Sequence, residues 1–230
     1  MRFQDAALDA RAVVYAGIQA DPLVEQAAAL LAAATLRERL LARAVMNGES
    51  VERGAWRSMF PALFGPAATD EARARAEEIL SASLDVAGRG ERARSQYRGA
   101  IVEALTARLL ARRVPAAAVR RERRILFDGV RAEIHPYDVT VELPDRAEAY
   151  DCKWGARGIN AEVLLQLDAA RSFAQAEDRR LLVALVVFDA RLSCRTRLAR
   201  LSATPGTRLV ALESLDALGG VTTPRASAQP

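Results

Sequence analysis

Residues 135–154 read HPYDVTVELPDRAEAYDCKW, and this stretch decides the fold predicted for the second half of the chain. Pro144 and Asp145 are typical turn residues, and the segments on both sides of them have the composition of strands. The pattern predicts two antiparallel strands joined by a tight turn. If Pro144 and Asp145 form the loop, Leu143 lies opposite Arg146, and the register of the whole hairpin follows from that pair.

The same register places Asp138 opposite Asp151, so that two acidic residues face each other across the ladder. Residues two apart on a strand project from the same face, so Lys153 joins Asp151 while Cys152 points away. Two directly opposed carboxylates repel, and such a pair needs a cation beside it. A register shifted by one residue would separate the two acids, so this prediction depends on the turn.

Lys153 is the only lysine in the chain, since the other 32 of the 33 Lys and Arg residues are arginine. The abundance of alanine and arginine is typical of a GC-rich genome, in which lysine codons drift to arginine wherever only a positive charge is required. Lysine is a compact ammonium whose pKa shifts readily, whereas arginine stays charged. Either this position requires an amine, or a single lysine has survived by chance.

The order of predicted elements after residue 90 indicates an α/β fold with a mixed central sheet flanked by helices. Periodicity and turn residues, including Asp128-Gly129, predict a helix, three strands, a helix, a strand, a helix or loop, and a last strand. The run at 179–190 is almost continuously apolar, which is typical of a strand buried on both faces. The predicted segments are 95–113, 119–156, 159–177, 179–190 and 207–212.

Residues 1–90 are predicted to form a separate all-α region. Asp21 has the character of a helix N-cap, and Thr69 or Asp70 is expected to cap a later helix. Residues 85–95, rich in glycine and charge, are the predicted linker. The resulting boundaries are 1–90 for the helical region, 91–215 for the α/β domain and 216–230 for a flexible tail.

Length and composition limit the class of protein. With 230 residues, 51% of them hydrophobic and 27% charged, the chain can build a globular core, and no apolar run reaches the roughly 18 residues of a membrane span. Residues 1–10 lack the basic start and apolar block of a secretory signal, so we expect a cytoplasmic protein without a membrane partner. Cys152 and Cys194 fit no metal-binding spacing and are expected to be free thiols.

The positive charge of the chain is concentrated in one region. The net charge is +4 and the isoelectric point about 9.6, which permits an anionic partner. Arginines cluster between residues 112 and 124, and guanidinium groups bind phosphate through paired hydrogen bonds. The alternative is a solvated helix end followed by an edge strand coated with charge. The candidates for nucleic-acid binding are Arg120, Arg121, Arg123 and Arg124.

Glu103 lies on a small-residue face of the first helix of the α/β domain. Its neighbours three and four positions away are small, which allows a helix to approach a sheet closely. A Glu on that face would be partly buried and would require a metal ion or a base. The alternative is an ordinary exposed helical Glu. The small neighbours are Gly99, Ala100, Thr106 and Ala107.

Other polar and aromatic residues near the hairpin are predicted to be structural. Tyr137 and Trp154 flank it, where aromatic side chains more often pack than stack on bases. His135, the only histidine, stands at the entrance of a strand, which favours a non-catalytic role over that of a general base. Glu142 and Glu148 are expected to face solvent.

Asp138, followed after twelve residues by the triplet Asp151-Cys152-Lys153, resembles the motif of the PD-(D/E)XK nuclease superfamily, which has the restriction-endonuclease-like fold. In that family an Asp begins the second core strand and an Asp/Glu-X-Lys triplet ends the third. A Glu comes from the helix before the first strand, which is the place of Glu103. The resemblance covers residues 95–190 and leaves the N-terminal helices unexplained.

Two further positions relate this chain to branches of the family. A helix after the triplet often directs a Gln or Lys toward the site, and Gln166 is the matching residue. The branch of recombination and CRISPR nucleases adds a Tyr one turn later, where this chain has Ala170, and often four cysteines for an iron–sulfur cluster, which this chain lacks. Pro136 lies two residues before Asp138 rather than directly before it.

The resemblance implies a site for Mg2+, with Mn2+ as a possible substitute ion. Asp138 and Asp151 would hold the ion, the backbone carbonyl of Cys152 would complete its shell, and Glu103 would act through water or on a second ion. Lys153 would orient or deprotonate the attacking water and offset charge on the phosphate. The implied catalytic residues are Glu103, Asp138, Asp151, Lys153 and Gln166.

The expected function is that of a Mg2+-dependent endonuclease that hydrolyses phosphodiester bonds of DNA, in defence or in a mobile element, with RNA left open. A DNA repair or junction-resolving nuclease is one alternative, because fold does not fix substrate. A non-catalytic nucleic-acid-binding subunit is another. Residues 1–90 would bind the target, mediate homodimerisation or contact a protein partner.

Overall fold

A computed structural model describes residues 1–6, 10–48, 50–128, 130–131, 135–202 and 207–220. Gly129 of the predicted second turn and residues 221–230 of the predicted tail lie outside the described residues. Among the described helices, none has the length and apolar character needed to cross a lipid bilayer.

Helices occupy most of the first half of the chain, after a short strand β1 (Arg2–Asp5). Their starts follow the sequence signals. Asp21 caps the helix that begins at Pro22, and Thr69 rather than Asp70 caps a later one by accepting a hydrogen bond from the Ala72 amide. The helices are α1 (Ala10–Gln19), α2 (Pro22–Ala33), α3 (Leu36–Asn47), α4 (Arg53–Met59), α5 (Pro61–Phe64), α6 (Asp70–Ala87) and α7 (Glu91–Leu110).

Strands and helices alternate in the second half in the predicted order. A helix fills the position that the sequence left as helix or loop. The elements are η1 (a 3-10 helix, Ala116–Ala118), β2 (Val119–Phe127), β3 (Val130–Arg131), β4 (Tyr137–Glu142), β5 (Ala147–Lys153), η2 (3-10, Ala156–Gly158), α8 (Ala161–Ala176), β6 (Leu181–Val187), α9 (Arg191–Arg200), β7 (Arg208–Ala211) and η3 (3-10, Leu212–Gly219).

The strands form a mixed sheet in the order β1-β2-β4-β5-β6-β7, and β3 pairs with β2 outside this path. The pairs from β1 to β5 are antiparallel, and β5, β6 and β7 are parallel. Helix α7 and the N-terminal helices cover one face, while α8 and α9 cover the other. The protein is therefore a mixed α/β fold with a central sheet flanked by helices.

Strand β1 was not predicted, and it changes the interpretation of β2. It pairs with β2 over residues 2–5, so β2 lies between two neighbours. The idea that the arginine-rich segment is an edge strand is therefore wrong. The two strands are more than a hundred residues apart in the sequence, so local patterns do not reveal this pairing.

The β4–β5 hairpin adopts the predicted register. Val139 pairs with Tyr150, and the Leu143 amide donates to the Arg146 carbonyl at 3.1 Å across the turn. The next position beyond the Val139–Tyr150 pair is that of the two acidic residues. The turn chemistry therefore sets the register that brings them to one end of the hairpin.

The predicted linker is a short turn between two helices. Only residues 88–90 separate α6 from α7. Helix α7 packs against α2 and also against β4 and β5, and the helical region and the sheet contribute to one apolar cluster. At the other end, η3 continues the ordered fold to Gly219, past the boundary expected at residue 215.

Candidate metal centre

Asp138 lies where the ladder between β4 and β5 ends. Beyond the Val139–Tyr150 pair, the Cys152 amide donates to Asp138 Oδ2 at 2.5 Å. The carboxylate thus accepts a main-chain hydrogen bond from the neighbouring strand. This contact fixes the acid at the start of β4, next to the end of β5.

Helix α7 brings Glu103 to the same place. Its side chain is only 4% exposed, which confirms the predicted burial. Tyr15 Oη donates to Glu103 Oε1 at 2.5 Å, and Gln19 Nε2 donates to Oε2 at 2.7 Å. Tyr15 and Gln19 are one turn apart on α1, so this helix lies against the carboxylate and holds both of its oxygens.

Glu122 joins this pair from an irregular point in β2. The β2–β4 ladder pairs Arg121 with Val139 and Arg123 with Tyr137, and Glu122 between them has a φ of 52°. A left-handed conformation costs a residue other than glycine about 1–3 kcal/mol, and such strain clusters at functional sites. Gln19 Nε2, which already contacts Glu103, also donates to Glu122 Oε1 at 3.1 Å.

Together the three acids form a cluster that could hold a metal ion. One carboxylate oxygen from each of Glu103, Glu122 and Asp138 lies within 4.8 Å of the others. Hard oxygen donors of this kind suit Mg2+ or Mn2+. The donor set therefore fits the expected ion, although it contains Glu122, which the sequence did not suggest, and not Asp151.

The protonation of the cluster reflects its crowding. Burial raises the pKa of Asp138 well above its ordinary value, and the negative charges of Asp151 and Glu103 raise it further. Burial also raises the pKa of Glu103. Burial and the charge of Glu103 raise the pKa of Glu122 from 4.5 to about 6. Protons or a cation would relieve this repulsion.

Asp151 and Lys153 form an ion pair beside the cluster. Lys153 Nζ lies 2.6 Å from Asp151 Oδ1, as expected for side chains two apart on one strand. Asp151 is only 5% exposed. The stem of Lys153 lies against Gly158, where a Cβ atom would come within 3.1 Å of Lys153 Cδ. The space around this side chain is therefore fitted to lysine.

In the metal-free protein Lys153 has the charge of a hydrogen-bond donor, whereas one of its expected roles was to take a proton from water. Burial acts to lower its pKa, but the negative charges of Asp138 and Asp151 outweigh burial, so the pKa lies above its ordinary value. In the metal-free protein the amine is therefore protonated at neutral pH. A protonated amine can donate hydrogen bonds and offset negative charge, but it cannot take a proton from water.

Gln166 supports the entrance to β4. It is 3% exposed, its Oε1 accepts from the His135 amide at 3.2 Å, and its Nε2 donates to the His135 carbonyl at 3.1 Å. Tyr137 Oη contacts the Gln166 carbonyl at 3.4 Å. The described contacts thus give Gln166 a positioning role in the segment that leads to Asp138.

The Cys152 side chain lies on the opposite face of the hairpin from Lys153, as expected. Its thiol points away from Lys153 to Thr106 Oγ1 at 3.5 Å, while its amide binds Asp138. Burial raises the pKa of the thiol well above its ordinary value, so the sulfur is a neutral group. Cys152 and Cys194 are both free and buried.

The predicted arginine group is spread along β2. Arg123 forms ion pairs with Glu142 and Asp5, the latter on β1. The charge of Arg121 lowers the pKa of Glu103 and Glu122 against the effect of burial. The two remaining members are Arg120, which is exposed, and Arg124, which is half-buried.

Two predictions about the surroundings of the site have clear outcomes. Glu148 does not face solvent, because it is buried and paired with Arg113, whose guanidinium also donates to Tyr150 Oη. The prediction failed because a long-range cation from the end of α7 reaches this strand position. Trp154 packs on Phe188 with ring centroids 4.8 Å apart, which agrees with its predicted structural role.

Sequence reasoning missed Glu122, Tyr15 and Gln19. Glu122 had a visible signal, because it is the single acid within the run RRERR. Tyr15 and Gln19 had no comparable signal. They lie more than eighty residues before Glu103, and nothing local links α1 to α7.

Comparison with known proteins does not show a family for this chain. No protein-family model matches the chain, and no curated protein matches it. Among solved structures it is similar to the crystal structure of protein VC1899 from Vibrio cholerae, with 16% sequence identity and a TM-score of 0.46. The match covers 95% of this chain and 57% of that one, so the chain spans a little over half the length of this neighbour.

Glu122→Gln should change the pH dependence of stability. Because the native chain holds the Glu122 proton more tightly, the unfolded chain loses it first, and stability falls as the pH rises from 4.5 to about 6. In EDTA near pH 7.5 the variant should therefore be more stable than the wild type, by on the order of 1 kcal/mol after allowance for solvent screening. Near pH 4 the two should be equal within roughly 0.5 kcal/mol.

Thermal denaturation of both proteins at the two pH values makes this measurement. Glu78→Gln, at an exposed position of α6, is the matched control and should show no pH-dependent difference. A Glu122→Gln difference that is the same at both pH values would show that the carboxylate is not held in a crowded, desolvated cluster.

Proposed function

We propose that this protein is a metal-dependent nuclease with a restriction-endonuclease-like core, and that it hydrolyses phosphodiester bonds in DNA. One observation carries the proposal. Three carboxylates converge next to a lysine–aspartate pair, at the point where two central strands separate. The proposal draws support from chemistry, because phosphodiester hydrolysis needs acidic ligands for a hard cation and a positive group close to the phosphate.

Glu103, Glu122 and Asp138 would hold Mg2+, or Mn2+ in its place. Such an ion supplies Lewis-acid stabilisation of the negative charge that develops on the phosphate. The cluster is suited to this task because its oxygens already lie close together and because burial makes their uncompensated charge costly. Asp151, whose pKa burial raises against the opposing effect of Lys153, adds negative charge next to the cluster.

Lys153 would bind the substrate phosphate and orient the attacking water as a hydrogen-bond donor. Its ammonium is held by Asp151, and its stem is packed against Gly158, so its position is set before substrate binds. A fixed positive group contributes more than a mobile one, because no reorganisation is needed as charge builds up on the phosphate. The proton from water would pass to another group or to solvent.

The surrounding residues hold the acids in place. Tyr15 and Gln19 fix the two oxygens of Glu103, and Gln19 bridges to Glu122. Gln166 fixes the backbone just before Asp138. The N-terminal helical region thus contributes directly to the site through α1, in addition to any role in target or partner contact.

A cleavage assay with supercoiled plasmid tests the proposal. The wild type should nick the plasmid with Mg2+ or Mn2+ and should be inactive in EDTA, and single-stranded DNA and RNA serve as further substrates. Binding of DNA without cleavage under every metal condition would favour the non-catalytic subunit and would contradict the nuclease. Cleavage of RNA alone would keep the chemistry and correct the substrate.

A further inference from the structure

Helix α9 is strongly basic. Its sequence, RLSCRTRLAR, contains four arginines and no acidic residue. Arg197 and Arg200 lie in its last turn, where a positive charge interacts favourably with the helix C-terminus. The helix dipole therefore explains part of this charge, but it does not explain charge on neighbouring elements.

One face of α9 lines a groove together with η2. The groove has a volume of about 630 Å3, and Arg157 of η2 lies in it with Ser193, Thr196, Arg197 and Arg200 of α9. The four α9 positions follow the spacing of a single helix face. Among the described residues that line the groove, none is acidic. The polar groups of the groove are therefore guanidinium and hydroxyl groups, and Ala156 and Leu192 supply its apolar lining.

Two of these arginines remain available for a ligand. Arg197 Nε donates to the Ile159 carbonyl at 2.9 Å and so ties α9 to the segment after η2. Arg157 and Arg200 are exposed, and within the described part of the chain neither forms an ion pair. Their charge is therefore not compensated by the fold.

The nearby acids are already engaged. Asp189, which follows β6, pairs with Arg43 at 2.6 Å and accepts from the Ala156 amide at 3.0 Å. Glu213 accepts hydrogen bonds from the Arg191 amide at the start of α9. Neither carboxylate lines the groove, so the local field there is positive.

The groove lies next to Lys153. Gly158, the last residue of η2, contacts the Lys153 side chain, and Arg157 directly precedes it. A ligand in the groove would therefore extend along η2 toward the lysine of the candidate site. This arrangement suits a polymer that is bound at one place and cut at the adjacent one.

We propose that the groove between η2 and α9 binds the phosphodiester backbone of DNA beside the bond that is cut. This inference rests on the proposed function and adds the surface that holds the substrate. Guanidinium groups bind phosphate with paired hydrogen bonds, and Ser and Thr hydroxyls also contact phosphate oxygens. The face from Ser193 to Arg200 is roughly 10 Å long, which is enough to contact more than one phosphate of a strand.

The groove is better suited to this role than Arg121 and Arg123 of β2. Arg123 is paired with two acids, and Arg121 lies beside Glu103 and Glu122, so that charge is balanced within the fold. Arg157 and Arg200 have no ion-pair partner among the residues that the structure describes. The main contact surface is therefore placed on the α9 side of the site.

The double variant Arg157→Ala/Arg200→Ala tests this surface. Fluorescence anisotropy with a labelled DNA duplex, in EDTA so that nothing is cut, should show an affinity loss of about tenfold or more near 0.1 M salt. The slope of log K against log salt should become shallower by roughly two. The matched control Arg37→Ala/Arg92→Ala removes the same charge from exposed positions on α3 and α7 and should bind like the wild type.

Each outcome decides the question. Equal losses in the groove and control variants would reduce the effect to net charge and overturn the proposal, as would unchanged affinity or a wild type that does not bind DNA. A loss confined to a parallel RNA duplex would overturn the assignment to DNA. If binding depends on the groove arginines but no cleavage occurs, the groove proposal is upheld and the nuclease proposal fails. If cleavage occurs but binding does not depend on these arginines, the nuclease proposal is upheld and the groove proposal fails.

Discussion

Asp138→Asn is expected to abolish divalent-metal binding and to reduce cleavage by about 1,000-fold, while raising the melting temperature of the metal-free protein. The loss of activity follows because one charged ligand disappears from the cluster, and the stabilisation that depends on it is worth several kcal/mol. Asn has nearly the same shape and keeps an oxygen that can accept from the Cys152 amide. The hairpin should therefore keep its structure.

The gain in stability follows from the sign of the pKa shift. Burial and the charges of Asp151 and Glu103 raise the pKa of Asp138, so the native state holds this proton more tightly than the unfolded state. Above the pKa of the unfolded chain the Asp138 carboxyl group therefore costs stability, because folding opposes the loss of its proton. A neutral amide at position 138 removes this cost. Opposite effects on stability and activity are typical of a functional site.

Calorimetric titration with Mn2+, a nicking assay and thermal denaturation in EDTA measure the three effects. Asp145→Asn is the matched control, since it makes the same change at an exposed position in the turn of the same hairpin. It should leave all three quantities unaltered. An Asp138→Asn protein that binds Mn2+ and cuts DNA like the wild type would remove this acid from the site.

Lys153→Arg is expected to reduce cleavage by about 100-fold, the scale of losing one positioned donor to the developing charge. The change keeps the positive charge, so long-range attraction to DNA and the affinity should persist. The guanidinium is larger and planar, and it has to enter a space bounded by Asp151 and Gly158. It cannot place a compact cation at the same point, and crowding should cost about 1 kcal/mol of stability.

In Lys153→Arg the nicking rate should therefore fall strongly, while the DNA affinity stays the same and the melting temperature falls slightly. Arg146→Lys, the reverse exchange at the exposed turn of the hairpin, is the matched control and should change none of them. Wild-type activity in Lys153→Arg would mean that only charge matters at this position and that the single lysine of the chain is an accident of codon drift.

The hairpin was predictable because its determinants are local. Turn residues at 144–145 set the register, and the period of two then places Asp151 and Lys153 on one face. The burial of Glu103 was predictable for a similar reason, since its small neighbours lie within one turn of the helix. In both cases the information is contained in residues that are close in sequence.

The rest of the site depends on contacts between distant segments. Glu122 enters the cluster only because its backbone leaves the regular β conformation, and strand patterns assume that it does not. Tyr15 and Gln19 reach Glu103 because α1 packs against α7, a contact between segments that are far apart in the sequence. The burial of Glu148 was not predicted for the same reason, because its partner Arg113 lies far from it in the sequence.

The position of a bound ion tests directly whether Glu103, Glu122 and Asp138 form a metal site. Crystals grown with Mn2+ and measured at the manganese absorption edge would show it as a peak of anomalous density. We expect a peak bounded by the carboxylates of Glu103, Glu122 and Asp138, with oxygen distances of roughly 2.2 Å. A map without a peak at these three residues, or with manganese bound elsewhere, would contradict this expectation.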